Sequence, residues 1–229
     1  MSWFSQYLRS SIGMKQLMAV TGLILLGFVI AHLLGNLLIF AGRETLNDYA
    51  EALRDYGPVL WIMRAIILGA VLVHIGAAIR LVSLNRAARP VRYQVFKPRT
   101  TPYYARAVAW TGLIVLAFVV FHLLHHTFGV VYPEYYGQSW EGGEFYDVYN
   151  MVVMGFDHVW VSVSYIVAVA LLSLHLAHGV PSLFQTLGLR HPKYTPTIEK
   201  IGHWLAVVLF VGYASIPVAV LLGWLTVEL

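Results

Sequence analysis

Four of the histidines in the apolar segments of this 229-residue chain occupy matching positions in two similar halves, and they are the side chains there best suited to chemistry. They are His32, His74, His122 and His175. An imidazole in hydrocarbon is costly without a partner, so it indicates a site that binds a metal or carries a proton. A backbone carbonyl can satisfy one such histidine. Four histidines related by internal symmetry favour a functional role.

The sequence around two of these histidines is repeated. Residues 21–34 read TGLILLGFVIAHLL and residues 111–124 read TGLIVLAFVVFHLL, with ten of fourteen positions identical at an offset of 90. Each copy precedes a second apolar segment with its own histidine, His74 and His175. A repeat of membrane helices predicts a pseudo-two-fold arrangement with a shared site where the copies meet.

The composition is typical of a membrane protein that crosses the bilayer several times. The chain is 59% hydrophobic and 11% charged, its mean hydropathy is +0.70, and it contains no cysteine. The lack of cysteine excludes disulfides, zinc–thiolate sites, iron–sulfur clusters and covalently attached c-type haem. The pI of about 9.3 does not indicate nucleic acid, because the basic residues cluster in short loops between apolar segments.

Five apolar segments are long enough to cross a bilayer, so we predict an all-α membrane protein with five transmembrane helices. All of residues 1–229 form one domain. The predicted helices run from about 14–40, 59–84, 106–128, 158–187 and 200–227. The first four form a histidine-bearing bundle made of the repeats 14–84 and 106–187, and the fifth is additional.

The distribution of charge predicts the orientation of the helices. The loop 85–105 is basic, whereas the segments 41–58 and 129–157 are mainly acidic. By the positive-inside rule, the basic loop and the segment around Arg190 are cytoplasmic and the acidic segments lie outside. We therefore expect a multi-pass protein of the cell inner (cytoplasmic) membrane with a cytoplasmic N-terminus.

The depths of the histidines predict two pairs. At a rise of about 1.5 Å per residue, His32 and His122 lie roughly 25 and 24 Å from the cytoplasmic ends of their helices. His74 and His175 lie on the cytoplasmic side, about 15 Å away. We call His32 with His122 the outer pair and His74 with His175 the inner pair.

Two imidazoles at each of two depths predict two b-type haems, each with its iron held by histidines from facing helices. Such an iron has no open position and transfers electrons. Zinc is disfavoured, because two ligands per level without carboxylate or thiolate are too few. Arg64 lies ten residues before His74, at the level of the outer pair, and is a candidate partner for a haem propionate. The alternative is that Arg64 extends to the outer surface.

Two further groups of residues have weaker assignments. Small residues near the ligands leave room for a flat macrocycle, or reflect the abundance of glycine in membrane helices: Gly27, Gly35, Gly76 and Gly179. Other histidines near the helix ends are interpreted as interfacial polar residues that could line a quinone pocket: His125, His126, His158 and His178.

The chain resembles the membrane-anchor cytochrome b subunit of succinate dehydrogenases and fumarate reductases, in the form with five helices and two haems. The resemblance covers nearly the whole chain. Its motifs are AHLLGN at His32, VHIGAA at His74, TGLIVLAFVVFHLLHH at His122 and LHLAHGVPSLFQTLG at His175. In that family these four positions are the haem ligands.

The resemblance implies a larger complex. A flavoprotein subunit carries the dicarboxylate site, and an iron–sulfur subunit passes electrons to this anchor at the cytoplasmic face. The anchor is the quinone-reactive subunit and exchanges electrons with menaquinone or another quinone. One position departs from some relatives, which carry a glutamate for proton transfer where this chain has Ser173. Coupled proton transfer is therefore not implied.

Two other functions remain open from the sequence. One is the cytochrome b anchor of another quinone-linked complex, such as a hydrogenase, formate dehydrogenase or nitrate reductase. The other is a proton or metal transporter that uses intramembrane histidines. Such transporters usually place acidic residues in the membrane as well, and the apolar segments here are almost free of Asp and Glu.

Overall fold

The computed structural model describes residues 2–88, 91, 103–139 and 146–228. These residues are almost entirely helical, with one isolated β-bridge between Ser139 and Tyr146 and no strand. Some charged residues of the predicted loops lie outside the described ranges: Arg92, Lys97, Arg99, Glu141 and Glu144.

Within the described residues, five helices are long and apolar enough to cross a membrane, which agrees with the five apolar segments of the prediction. In chain order the helices are α1 (Trp3–Arg9), α2 (Ser11–Asn36), α3 (Arg43–Asp55), α4 (Pro58–Ala87), α5 (Tyr103–Arg106), α6 (Val108–His122), α7 (Val148–Asp157), α8 (Val159–Thr186) and α9 (Thr195–Leu221). The five long ones are α2, α4, α6, α8 and α9. A 3₁₀ turn extends α2 to Ala41 and a π-helical turn extends α6 to Thr127.

The helix ends differ from the prediction where local chemistry decides them. The α2 helix begins at Ser11 because the Ser10 hydroxyl accepts the Gly13 N–H at 3.1 Å, which caps the first turn. The α9 helix begins at Thr195, with a proline in its first turn, and ends at Leu221 rather than near 227. Beyond it the chain turns back, and the Trp224 N–H donates to the Ala219 carbonyl at 2.8 Å.

The long helices pack as two pairs joined at the centre. Helix α2 packs along α4 and α6 packs along α8, so each copy of the repeat forms one helix pair. The pairs meet where α2 contacts α8. Helix α9 packs mainly on α8 and also reaches α2, where the Tyr213 hydroxyl donates to the Val29 carbonyl at 2.6 Å. Large apolar side chains face outward along these helices, as expected for a lipid-facing surface: Leu72, Ile79, Val120, Val167 and Val208.

Two shorter helices, α3 and α7, cover the end of the bundle near the outer pair. We call α3, α7 and residues 222–228 the cap. Asp147, directly before α7, accepts hydrogen bonds from Arg43 at 2.8 Å, from Asn47 at 3.0 Å and from Asn150 at 2.8 Å. Asn150 also holds the C-terminal segment by two bonds to the Glu228 backbone. A cluster of buried apolar residues lies here, where α7 meets α8 and α9.

The charge of Asp147 stabilises the cap. Burial raises the pKa of Asp147, but the hydrogen bonds from Asn47, the Asn150 backbone and Arg43 outweigh it and hold the pKa below the ordinary value of 3.8. Asp147 also caps α7, because its side chain accepts the Asn150 N–H at 3.0 Å. The sequence analysis did not predict α3 or α7, which the acidic segments 41–58 and 129–157 contain.

Candidate cofactor site

The two histidines of the outer pair come together between α2 and α6. His32 lies one turn before the end of α2, and His122 is the last residue of α6. Their ring centroids are 5.9 Å apart, with the planes at 83°. An aromatic ring one turn earlier packs on each imidazole: Phe28 on His32 at 5.2 Å and Phe118 on His122 at 6.0 Å. These contacts obey the repeat offset of 90.

The two histidines of the inner pair come together between α4 and α8. The ring centroids of His74 and His175 are 6.4 Å apart, with the planes at 62°. Each residue lies sixteen positions after the first residue of its helix, Pro58 or Val159. The structure therefore brings together the same two pairs that the sequence depths predicted. Each pair joins one residue from each copy of the repeat.

The spacing within each pair suits two imidazoles that share a metal ion. Ring centres on opposite sides of one metal are about 6 Å apart, because each metal–nitrogen bond is about 2 Å and each ring centre lies ~1 Å behind its nitrogen. Direct edge-to-face contact gives similar spacings. A shared metal ion and direct ring contact can be distinguished by the hydrogen bonds of the imidazole nitrogen that would not bind the metal.

Three of the four imidazoles use Nδ1 for a hydrogen bond to a hydroxyl. Nδ1 of His74 lies 3.2 Å from Thr21 Oγ1, and Nδ1 of His175 lies 3.3 Å from Thr111 Oγ1. Nδ1 of His122 lies 3.3 Å from the Tyr165 hydroxyl. Metal-binding histidines typically engage their second nitrogen in this way, which leaves Nε2 to bind the metal.

Two glycines let the inner imidazoles approach the neighbouring helix. A Cβ on Gly22 would lie 3.4 Å from Cε1 of His74, and a Cβ on Gly112 would lie 3.3 Å from Cε1 of His175. Gly22 directly follows Thr21 and Gly112 directly follows Thr111, so both copies of the repeat carry the same Thr–Gly dipeptide. Of the two interpretations of Gly35, the structure does not favour room for a macrocycle, because the Tyr49 ring lies against this glycine. Open space surrounds the faces of Gly27, Gly76 and Gly179.

A second group of titratable side chains lies beyond the outer pair. The π-helical turn, in which the Phe128 N–H donates to the Leu123 carbonyl, carries His125 and His126. His125 is buried, and its Nδ1 lies 3.0 Å from the Tyr165 hydroxyl. The His126 ring lies 4.0 Å from the His125 ring. Within the described residues, Nδ1 of His126 is buried without a hydrogen-bond partner.

The remaining predicted residues lie at the edges of the bundle. Arg64 is exposed in the second turn of α4, with its guanidinium 5.0 Å from the centre of the Trp61 ring. Nε2 of His178 lies 3.2 Å from the Ser182 hydroxyl. Nε2 of His158 lies 3.2 Å from the Tyr135 hydroxyl. The Ser173 hydroxyl is buried, and it has no partner within the described ranges.

The sequence analysis missed the residues that hold the imidazoles. Thr21, Gly22, Thr111 and Gly112 stand at the start of the repeated segment, and their identity in both copies was the available signal. Tyr165 gave no such signal, because its counterpart, ten residues before the histidine of the other half, is Arg64.

The donor set fits an iron that takes two protein ligands better than a metal that needs more. Within the described residues, no three His, Cys, Asp or Glu side chains are grouped to hold a metal ion. Haem iron needs only its two axial positions filled, because the macrocycle supplies the other four nitrogens. No family model, curated protein or solved structure matches this chain.

Proposed function

We propose that this chain is the di-haem cytochrome b membrane anchor of a succinate:quinone oxidoreductase. The observation that carries the proposal is the pairing of the histidines. Each pair joins equivalent positions of the two halves, at two levels of one apolar bundle. A histidine with only a structural role in a membrane helix needs one hydrogen-bond partner. It does not need a second histidine beside it at the equivalent position of the other half.

His32 and His122 hold the outer haem in this proposal, and His74 and His175 hold the inner haem. Held by two imidazoles each, the haems would supply one-electron transfer without binding oxygen. The protein holds the four rings on rigid helices, and the lipid-facing apolar surface keeps water from both sites. The hydrogen bonds at Nδ1 orient three of the rings and favour ligation through Nε2.

The resemblance of the four histidine motifs to the succinate dehydrogenase and fumarate reductase anchors supports the choice of complex. In this proposal a flavoprotein subunit carries the succinate or fumarate site, and an iron–sulfur subunit docks at the cytoplasmic end. The two haems would supply one-electron carriers between that subunit and menaquinone or another quinone in the inner membrane. The basic residues near the N-terminus, Arg9 and Lys15, and the basic loop after α4 support a cytoplasmic N-terminus.

Arg64 is proposed to pair with a propionate of the outer haem. The repeat supports this role, because Arg64 and Tyr165 are equivalent positions, each six residues after the start of its helix. Tyr165 contacts the outer pair from α8 through its hydroxyl. Arg64 therefore lies at the same level of α4, with a side chain long enough to reach an anion there.

The test is an optical reduced-minus-oxidised spectrum of the purified complex, with haem quantified per chain and the co-purifying subunits identified. We expect two b-type haems per chain, a flavoprotein and an iron–sulfur protein. His122→Ala should remove the outer haem and leave the inner one, and His74→Ala should do the reverse. His191→Ala is the matched control, since His191 is exposed in the loop before α9.

The outcomes separate the alternatives. A chain that binds no haem overturns the proposal and favours a histidine-based transporter. Two haems with a hydrogenase or formate dehydrogenase as the partner retain the cytochrome and reject the succinate assignment. Loss of both haems or of neither in His122→Ala contradicts the pairing.

A further inference from the structure

The Thr–Gly dipeptide at the start of the repeated segment contacts an inner histidine in each half of the chain. In the first half Thr21 and Gly22 contact His74, and in the second half the equivalent dipeptide contacts His175 in the same way. We infer that Thr21 and Thr111 are positioning residues that hold the inner imidazoles in the tautomer needed to bind iron. This inference rests on the proposed function and assigns these residues a role in it.

The tautomer follows from the single proton of each hydroxyl. The Thr21 hydroxyl lies 2.7 Å from the Leu17 carbonyl, and the Thr111 hydroxyl lies 3.0 Å from the Val108 carbonyl. A carbonyl only accepts, so each hydroxyl donates its proton to its own helix. The hydroxyl oxygen can then only accept from the histidine, which places the proton on Nδ1. A neutral imidazole with Nδ1–H carries its free lone pair on Nε2.

A commonplace explanation for these threonines is that they satisfy their own hydroxyls inside an apolar helix. Ser83 on α4 is an example, since its hydroxyl donates to the Ile79 carbonyl at 2.9 Å and its side chain is exposed. Thr21 and Thr111 differ from Ser83 in two respects. Both are buried, at 7% and 5% exposure, and both have an imidazole as a second partner.

The glycines complete the contact. Each inner imidazole lies over the glycine that follows its threonine, at a distance that leaves little space for a side chain. The bond from each threonine hydroxyl to a carbonyl of its own helix selects one of the two χ1 rotamers open to threonine in a helix, so the oxygen is held in one place relative to the ring. Both contacts fall on the Nδ1–Cε1 edge of the ring, so the hydroxyl and the glycine together position that edge against the neighbouring helix.

The experiment replaces each hydroxyl with a methyl group of the same shape. Thr21→Val and Thr111→Val are compared with Thr21→Ser and Thr111→Ser, which keep the hydroxyl, and with Ser83→Ala as the control. The purified complex is titrated by redox potential while its spectrum is followed, and haem retention is measured on dilution in detergent. The outer haem in the same sample reports whether the variant is folded.

We expect both valine variants to act on the inner haem, although the two threonines are 90 residues apart. A hydrogen bond at Nδ1 makes the ligand more basic, so its loss should raise the midpoint potential of that haem and weaken its retention by about 10–100-fold. The outer haem should keep its potential, and the serine variants and Ser83→Ala should match the wild type. If one valine variant does not accumulate, the other makes the same prediction.

Two results overturn the inference alone. One is a wild type with two haems whose valine variants leave the inner potential and retention unchanged. The other is a serine variant that behaves like the valine variant. A wild type that binds no haem overturns the proposed function and the inference together. The haem content of the wild type therefore shows whether the proposed function has failed or only the inference about the threonines.

Discussion

The inner and outer pairs use equivalent positions of one repeat, yet their surroundings differ. Both inner imidazoles have the same hydroxyl and the same close glycine, one set from each half. In the outer pair, His122 has Tyr165 and through it His125, whereas His32 has the ring of Tyr213 at 6.3 Å. The inner site is symmetric, and the outer site is not.

Tyr165 and two neighbouring helices account for the difference. Helix α9, which is additional to the repeat, supplies Tyr213, and α7, a short helix within the second copy, supplies Gly155, which lies against His125. Within the described residues, the hydrogen bonds to the inner imidazoles come only from α2 and α6. The hydrogen bonds of the inner imidazoles therefore repeat between the two halves, whereas those of the outer pair do not, because the position equivalent to Tyr165 is Arg64.

Weakening the cap should produce the largest difference between the outer and the inner site. Asp147→Asn removes the charge that accepts bonds from Arg43, Asn47 and Asn150, and it should destabilise the cap by roughly 3 kcal/mol. Hydrogen exchange should increase in α3 and α7, and the outer haem should be lost on heating before the inner one. Asp157→Asn is the matched control, because Asp157 is exposed at the end of α7.

Acid should have the same effect as this substitution. The folded pKa of Asp147 is below its ordinary value of 3.8, so its stabilisation is fully present above that value and is lost as the pH falls through the folded pKa. Hydrogen exchange that rises equally in Asp147→Asn and Asp157→Asn would contradict the role of Asp147.

The sequence predicted the parts of the fold that depend on apolar length and on the repeat. The five spans and the two histidine contacts followed from segment length and from a fixed rise per residue. The threonine and glycine contacts were visible as identities in the repeat, but their partner on the next helix depends on how α2 rotates against α4. Sequence periodicity does not give this rotation, because these helices are apolar on all sides.

The cap was not predicted because its helices are not transmembrane. Helix α3 is polar and α7 is short, so neither has the continuous apolar length that identified the other helices. Their positions depend on Asp147, which bonds to residues about one hundred positions earlier in the chain. Nothing local in the sequence around Arg43 or Asn47 indicates that contact.

Removing the Tyr165 hydroxyl should have an intermediate effect, limited to the His122 side of the outer pair. Tyr165→Phe removes the bonds to His122 and His125 and should cost about 1–2 kcal/mol. The outer haem potential should rise, because His122 loses its acceptor, while the inner potential stays constant. Tyr213→Phe is the control, since its hydroxyl bonds to the Val29 carbonyl and not to an imidazole. A shift of equal size in both variants would attribute the effect to packing alone.

The smallest effect should come from Arg64, which stands where the other half has Tyr165. An exposed ion pair contributes about 0.2–1 kcal/mol, so Arg64→Leu should lower the outer haem potential slightly, because a nearby cation favours the reduced state. The shift should shrink at high salt, which screens exposed charges. Arg54→Leu, whose guanidinium lies 4.6 Å from the centre of the Tyr146 ring, should leave the potential unchanged. If Arg64→Leu also leaves the outer haem potential unchanged at low salt, Arg64 only extends from α4 to the membrane surface. The equivalence of positions 64 and 165 then has no functional meaning.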